Sequence, residues 1–104
     1  MNLAVWNQAS SEPIDGECFY LNVKDDSMAG EGIRKGMQVL VQRQSYCENG
    51  KIGLVVIGNI EGELKRVYYE GDTMVLKDSE GISHPYSPDE IFIVGQVKKA
   101  VFDV

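Results

Sequence analysis

The stretch Glu48-Asn49-Gly50-Lys51-Ile52-Gly53-Leu54-Val55-Val56-Ile57 decides how this chain is read. Asn-Gly tolerates the positive φ that a tight, primed hairpin turn demands. The nearly continuous apolar run after it predicts a strand buried on both faces. Outward in both directions, short β-rich runs keep alternating with Gly, Asn, Asp and Pro punctuation. On the N-terminal side, strands are predicted over 18–23 and 38–43, joined by a connection over 24–37. On the C-terminal side, Gly58-Asn59 to Gly62 turns the chain into a strand over 63–69, and Glu70-Gly71-Asp72 turns it into one over 73–77. Residues 78–88 read as a loop, and 91–97 begin a closing strand pair that ends near Phe102. There is no internal repeat, no low-complexity segment and no helical periodicity. About seven short strands with regular punctuation predict an all-β, barrel-like or sandwich fold. Residues 1–17, polar and turn-prone around Asn7 to Pro13, read as an N-terminal arm, and residues 18–104 as one domain.

Composition narrows the function. With 104 residues the chain has length for a single compact domain, and 43% hydrophobic with 25% charged residues is ordinary for a globular protein. Ten basic against sixteen acidic residues give a net charge of −6. A protein that grips the phosphate backbone needs clustered Lys and Arg to release counterions. Basic pairs such as Lys65-Arg66 and Lys98-Lys99 lie far apart in sequence, so this domain alone is not expected to hold DNA or an anionic membrane. No apolar run reaches the ~20 residues of a membrane-spanning helix. The N-terminus lacks the basic and apolar regions of a secretory signal, which makes the cytoplasm the default. Cys18 and Cys47 are too few and too far apart for a CxxC motif or a disulfide framework; Cys18 is predicted in the core and Cys47 in a turn. His84 is the single histidine, so no metal site and no cofactor is expected. It reads as a solvated loop residue, and Trp6 as an arm residue packing on the domain or on a dimer mate.

Two polar residues carry the chemical interest. Asp26-Ser27-Met28 follows the first predicted strand, and Lys65 lies 38 positions after Ser27 in Glu63-Leu64-Lys65-Arg66-Val67. A serine hydroxyl is a weak nucleophile until a base takes its proton, and a neutral lysine amine can be that base. A free lysine titrates near ~10.4, so holding it neutral at pH 7 costs about 4.6 kcal/mol. Burial can lower a lysine pKa by about 3 to 5 units, which suffices. Strand alternation puts Glu63, Lys65, Val67 and Tyr69 on one face, where Val67 and Tyr69 would supply an apolar wall. Alternation also permits the opposite, with Leu64 and Tyr68 inward and Lys65 a solvated neighbour of Arg66. Ser27 is equally open. Asp-Asp-Ser suits a capped turn, or else an exposed bend whose Asp26 and Ser27 backbone N–H groups face a substrate carbonyl. Met28 would then pack beneath.

The quoted pieces resemble the C-terminal domain of the LexA-type self-cleaving repressors and of the UmuD mutagenesis protein. The similarity covers Leu21-Asn22-Val23-Lys24-Asp25-Asp26-Ser27-Met28, Gly32-Ile33, Gly36 and Val39-Leu40-Val41. It continues through Gly50-Lys51-Ile52-Gly53-Leu54-Val55-Val56, Glu63-Leu64-Lys65-Arg66-Val67 and Ile93-Val94-Gly95-Gln96-Val97. The resemblance implies a mostly β, signal-peptidase-type fold, Ser27 as nucleophile, Lys65 as general base, and an oxyanion site from the Asp26 and Ser27 amides. It further implies homodimerisation through the C-terminal strands and cleavage of the protein's own linker at Ala-Gly or Cys-Gly, stimulated by a RecA filament on single-stranded DNA. DNA would be bound only through a separate N-terminal helix-turn-helix domain. The signal peptidases share the Ser-Met and Lys motifs, but the membrane anchor they require is not visible here.

The sequence departs from that pattern at two places. Asp25 stands where the family usually has glycine, and an anion near Lys65 favours the charged ammonium. In the family the cut falls some thirty-odd residues before the serine, which here lies before Met1. Ala29-Gly30 sits too close to Ser27 to fold back into its site. The expectation is therefore a repressor's C-terminal domain with its scissile bond outside this chain, or a protein like processed UmuD. A catalytically idle module for dimerisation and RecA contact is the alternative.

Overall fold

A computed structural model of the chain describes residues 16–58 and 60–101. Residues 1–15 of the arm predicted over 1–17, with Trp6, and the last three residues lie outside the described residues. Seven antiparallel strands form one sheet: β1 (Cys18–Asn22), β2 (Gln38–Arg43), β3 (Ile52–Ile57), β4 (Glu63–Glu70), β5 (Thr73–Asp78), β6 (Gly81–Ile82) and β7 (Ile91–Val101). Their order across the sheet is β1-β2-β7-β3-β4-β5-β6. The all-β expectation is borne out. Two short 3-10 turns, Ala29–Glu31 and Pro88–Glu90, are the helical elements among the described residues.

The double burial expected of β3 organises the interior. Leu54 joins a cluster with Leu21, Val23, Met28, Ile33, Met37, Val39, Val41, Leu64 and Val94. Val55, the next residue, faces the other way into Cys47, Val67, Met74, Leu76 and Ile91. Successive strand side chains point to opposite faces, so an all-apolar run has to be covered on both. Each fully buried Leu or Val contributes roughly 1.5–3 kcal/mol relative to exposure.

Three expectations are corrected. The closing strand pair is one eleven-residue strand, β7, whose first half pairs with β3 (Gly53↔Gln96 to Ile57↔Ile91) and whose second half pairs with β2 (Gln38↔Val101 to Arg43↔Gly95). β7 thus joins two half-sheets, and the register shifts at Leu40/Val41 and Leu54/Val55 accommodate the changeover. The turn at Asn49-Gly50 exists, with Gly50 at φ +82° and the Lys51 N–H bonded to the Glu48 carbonyl at 3.0 Å. It does not close a hairpin, because β7 lies between β2 and β3. The cysteines exchange roles: Cys18 is exposed at the start of an edge strand, while Cys47 is buried against Gly53.

Gly95 is where β7 passes from one partner to the other. A Cβ built there would lie 2.4 Å from the Gln42 carbonyl oxygen and 2.8 Å from Val41 Cγ1. Gly95→Ala is therefore expected to destabilise the domain by about 1–3 kcal/mol. A urea titration that leaves the unfolding midpoint unchanged contradicts this account of the strand crossing.

Candidate active site

Ser27 stands on the bend between β1 and the first 3-10 turn, half-buried, with Met28 beneath it at 1% exposure. Met28 anchors the bend as expected, its carbonyl accepting the Glu31 N–H at 2.9 Å and the Ile33 N–H at 3.2 Å. The two aspartates fold the bend. Asp25 Oδ1 accepts the Ser27 N–H at 3.0 Å, and Asp26 Oδ1 accepts the Lys35 N–H at 2.9 Å. The Asp25 contact is a local turn in which a short carboxylate reaches the amide two residues along, and the Asp26 contact ties the bend to the chain nine residues later. Of the two amides assigned from the sequence to an oxyanion site, Asp26 and Ser27, that of Ser27 is thus occupied by the Asp25 carboxylate. That bond to the Ser27 backbone, with the Ser27 side chain, holds the Asp25 pKa below its ordinary value against the effect of partial burial, helped by the charges of Lys24 and Lys65.

Lys65 sits mid-strand on β4, its side chain 15% exposed. It is on the same strand face as the fully buried Val67, as alternation allowed, whereas Tyr69 at the strand's end is 41% exposed and reaches the Cys47 carbonyl at 2.6 Å. The wall beside Lys65 comes instead from Ile57, Leu76 and Tyr86, which line a cleft of about 330 Å³ together with Glu63 and Asp78. Its Nζ donates to Asp78 Oδ2 at 2.5 Å and lies 3.6 Å from Glu63 Oε1; it is bonded to Asp78, not to Ser27. Burial pushes the Lys65 pKa down, but the hydrogen bond and charge of Asp78, with those of Glu63, outweigh it and leave the pKa raised. The reciprocal holds for Asp78: its bond to Lys65 lowers its pKa, opposed by burial and aided by the Glu80 and Gly81 backbone.

The serine bend and the β4 lysine are tied together by neighbours. The Ser79 N–H donates to the Ser27 carbonyl at 2.8 Å, and the Ser79 hydroxyl accepts the Gly30 N–H at 2.7 Å. Arg66, beside Lys65 on the other strand face, grips Glu31 with Nε at 2.9 Å and Nη2 at 2.7 Å. Its Nη1 donates to the Gly50 carbonyl at 2.5 Å. Such a two-pronged guanidinium contact fixes geometry as well as charge. A small recess beside Ser27, lined by Leu21, Val23, Met28, Leu54, Gly62 and Leu64, offers about 20 Å³, room for a water-sized group. Glu63 borders both this recess and the lysine cleft.

The sequence reading missed Asp78, Ser79 and the Glu31–Arg66 pair. A signal for Asp78 existed. The Gly71-Asp72 turn, with Gly71 at φ +61°, pairs Glu70 with Thr73, and the ladder runs on to Arg66↔Lys77. The next rung outward sets Lys65 against Asp78. Among the described residues no cluster of His, Cys, Asp and Glu is arranged to hold a metal ion, and no helix is long and apolar enough to cross a membrane.

The fold is an all-β domain that carries Ser27 on a bend tethered to the turn after β5, with Lys65 on β4. The Peptidase S24-like family profile matches residues 5–98, and the chain belongs to that family. It is similar to the LexA repressor of Geotalea uraniireducens, 38% identical over 85 residues, covering 78% of this chain and 42% of that protein. It is also similar to the LexA repressors of Leuconostoc mesenteroides (34% over 83 residues, 80% and 39%) and Pelagibacter ubique (31% over 100 residues, 88% and 44%). The chain spans about two fifths of the length of these curated relatives.

Cys47 is a buried thiol in the cluster that also holds Val67. Burial, with the Glu48 charge, pushes its thiol up to about 11, opposed by Arg66. At pH 8 about one molecule in 1,000 then carries a Cys47 thiolate, and the thiolate is the reactive form. A thiol reagent at pH 8 should therefore modify the exposed Cys18 readily and Cys47 only after unfolding. Fast modification of both in the native protein contradicts the assigned burial.

Proposed function

We propose that this chain is the self-cleaving peptidase domain of a LexA-type transcriptional repressor, with Ser27 as nucleophile and Lys65 as general base. The observation that carries the reading is the 78–79 junction. Ser79 fastens the Ser27 bend, and Asp78, the residue before it, holds Lys65, so the two candidate groups share one support. Lys65 Nζ takes the Ser27 hydroxyl proton as Oγ attacks the linker carbonyl, then returns it to the leaving amine. Water later releases the acyl group from the serine. Charge developing on the carbonyl oxygen needs the Asp26 and Ser27 amides, so the Asp25 carboxylate has to leave the Ser27 N–H first. The small recess beside Ser27 suits a linker residue with a side chain no larger than a methyl, such as the alanine of an Ala-Gly step.

The chain's second role on this reading is homodimerisation through β7. From Val97 to Val101 this strand pairs with β2 on one side, and no strand among the described residues covers its other edge. An open antiparallel edge is a template for a second copy. DNA recognition and response to a RecA filament would belong to the whole protein, with DNA held by a separate N-terminal domain. A second reading, an idle dimerisation and RecA-contact module, draws on the Asp25 carboxylate at the Ser27 amide. A product like processed UmuD would share the same site.

The test uses the full-length protein that carries this domain. Ser27→Ala and Lys65→Ala should each slow self-cleavage by at least about 10³-fold. Because the Lys65 pKa lies above its ordinary 10.5, the neutral fraction and the rate should rise about tenfold per pH unit from pH 7 to 10. Undiminished cleavage in either variant excludes the dyad. Intact, dimeric protein at every pH selects the idle module.

A further inference from the structure

Asp78 has no part in the serine–lysine chemistry, yet it makes the closest polar contact of the lysine. Its Oδ2 stands 2.5 Å from Lys65 Nζ, and its Oδ1 accepts the Glu80 N–H at 2.8 Å, so both oxygens are engaged and the carboxylate cannot swing freely. The two side chains are 15% and 16% exposed, which shields the pair from water more than a surface ion pair. The contact follows from hairpin register rather than from chance side-chain reach, since β4 and β5 are locked from Glu70↔Thr73 to Arg66↔Lys77. Three further carboxylates face Lys65. Glu63 lies 3.6 Å away on the same strand, Asp25 on the β1–β2 connection feels its charge, and Glu80 borders the same cleft.

We propose that Asp78 is a latch on Lys65: it holds the ammonium in the resting site and has to release it before Ser27 can be deprotonated. The inference rests on the Ser27–Lys65 reading and deepens it by naming what keeps that pair off. An ammonium bonded to Asp78 has three N–H bonds and no lone pair. On release one N–H bond breaks and its proton passes to water. The Ser27 O–H bond then breaks as a new N–H bond forms on the same nitrogen. Asp78 acts through Lys65 and touches no substrate atom. Ser79 completes the device by holding the Ser27 carbonyl and the Gly30 amide. Movement of the 78–79 turn would therefore free the base and shift the nucleophile bend in one step.

The direct test follows the Lys65 side-chain amine by heteronuclear NMR in the 104-residue chain, with and without Asp78→Asn. Removing an adjacent opposite charge moves a titration midpoint by about 1–3 pH units, so the Lys65 midpoint should fall by at least about 1 pH unit. Asp78→Glu should keep it high. A midpoint unmoved by Asp78→Asn overturns the latch. Should Asp78→Asn not fold, the unmutated chain gives the answer. The Lys65 amine resonance should move as the Asp78 carboxyl titrates in acid, and its failure to move overturns the latch equally. In the full-length protein, Asp78→Asn should slide the cleavage pH profile downward and raise the rate at pH 7 about tenfold for each pH unit by which the Lys65 midpoint falls. An equal loss of rate at every pH, with no slide, marks a merely structural role and overturns the latch. The two ideas fail separately: cleavage persisting in Ser27→Ala sinks the dyad, and a fixed Lys65 midpoint sinks the latch.

Discussion

β3 is apolar on both faces, and the domain is built around covering it twice. Leu54 and Val55 point into separate clusters, and each cluster anchors one of the two candidate groups. The first runs through Met28, directly under the Ser27 bend. The second contains Val67, two residues from Lys65 on the same strand face. Loosening either cluster would move the candidate residue above it, since cores pack at crystal-like density and transmit small volume changes. The serine bend rests on the first cluster, and the lysine's strand is held by both, through Leu64 and Val67. They are brought into relation at the rim, where Ser79 meets the Ser27 carbonyl and Asp78 meets Lys65.

Four ion-pair contacts among the described residues join three cations to four carboxylates. Lys24 pairs with Glu61, Lys65 with Asp78 and Glu63, and Arg66 with Glu31. These contacts differ in weight. Lys24–Glu61 is solvated, with Glu61 at 59% exposure, and exposed pairs of that kind contribute little. Lys65–Asp78 is shielded on both sides, and Arg66 adds a rigid fork to the turn that follows the serine. Two of these carboxylates, Asp78 and Glu63, favour the charged form of Lys65.

Much of the scaffold was legible in the residues because it rests on local rules. The apolar run over 52–57, the alternating strand over 63–69 and the glycine turns each follow from a few neighbouring residues. What failed to read was non-local. Nothing near Asn49-Gly50 shows that β7, some forty residues later, will separate the strands flanking that turn. Cys18 and Cys47 look alike as residues, and only the position of Cys47 against Gly53 makes it the buried one. Ser27 and Lys65 were visible as residue types in a family-like setting. The sequence was equally compatible with a solvated lysine and a capped turn, and the structure contains part of each. Asp25 does cap the turn, and Lys65 is paired although it is largely buried. Asp78 was readable in principle from hairpin register, but it falls on the last rung of the strand, where it passes for the start of a loop.

Two opposing influences act on Lys65, and their balance favours the ammonium form of this partly buried lysine. Burial is the larger single influence and favours the neutral amine; Asp78 and Glu63 together reverse it. A peptide segment laid into the cleft of about 330 Å³ would displace water from Ile57, Leu76 and Tyr86, increasing the first influence. If it also drew Asp78 away, it would remove most of the second. Both changes push the amine the same way, so a segment needs no contact with the nitrogen itself to activate it. On the proposed function, such a site would stay silent without a docked segment because its base is charged, and docking would supply the condition for cleavage. The binding free energy available to the segment then limits activation, since a ligand shifts such an equilibrium only by its preference for the released state.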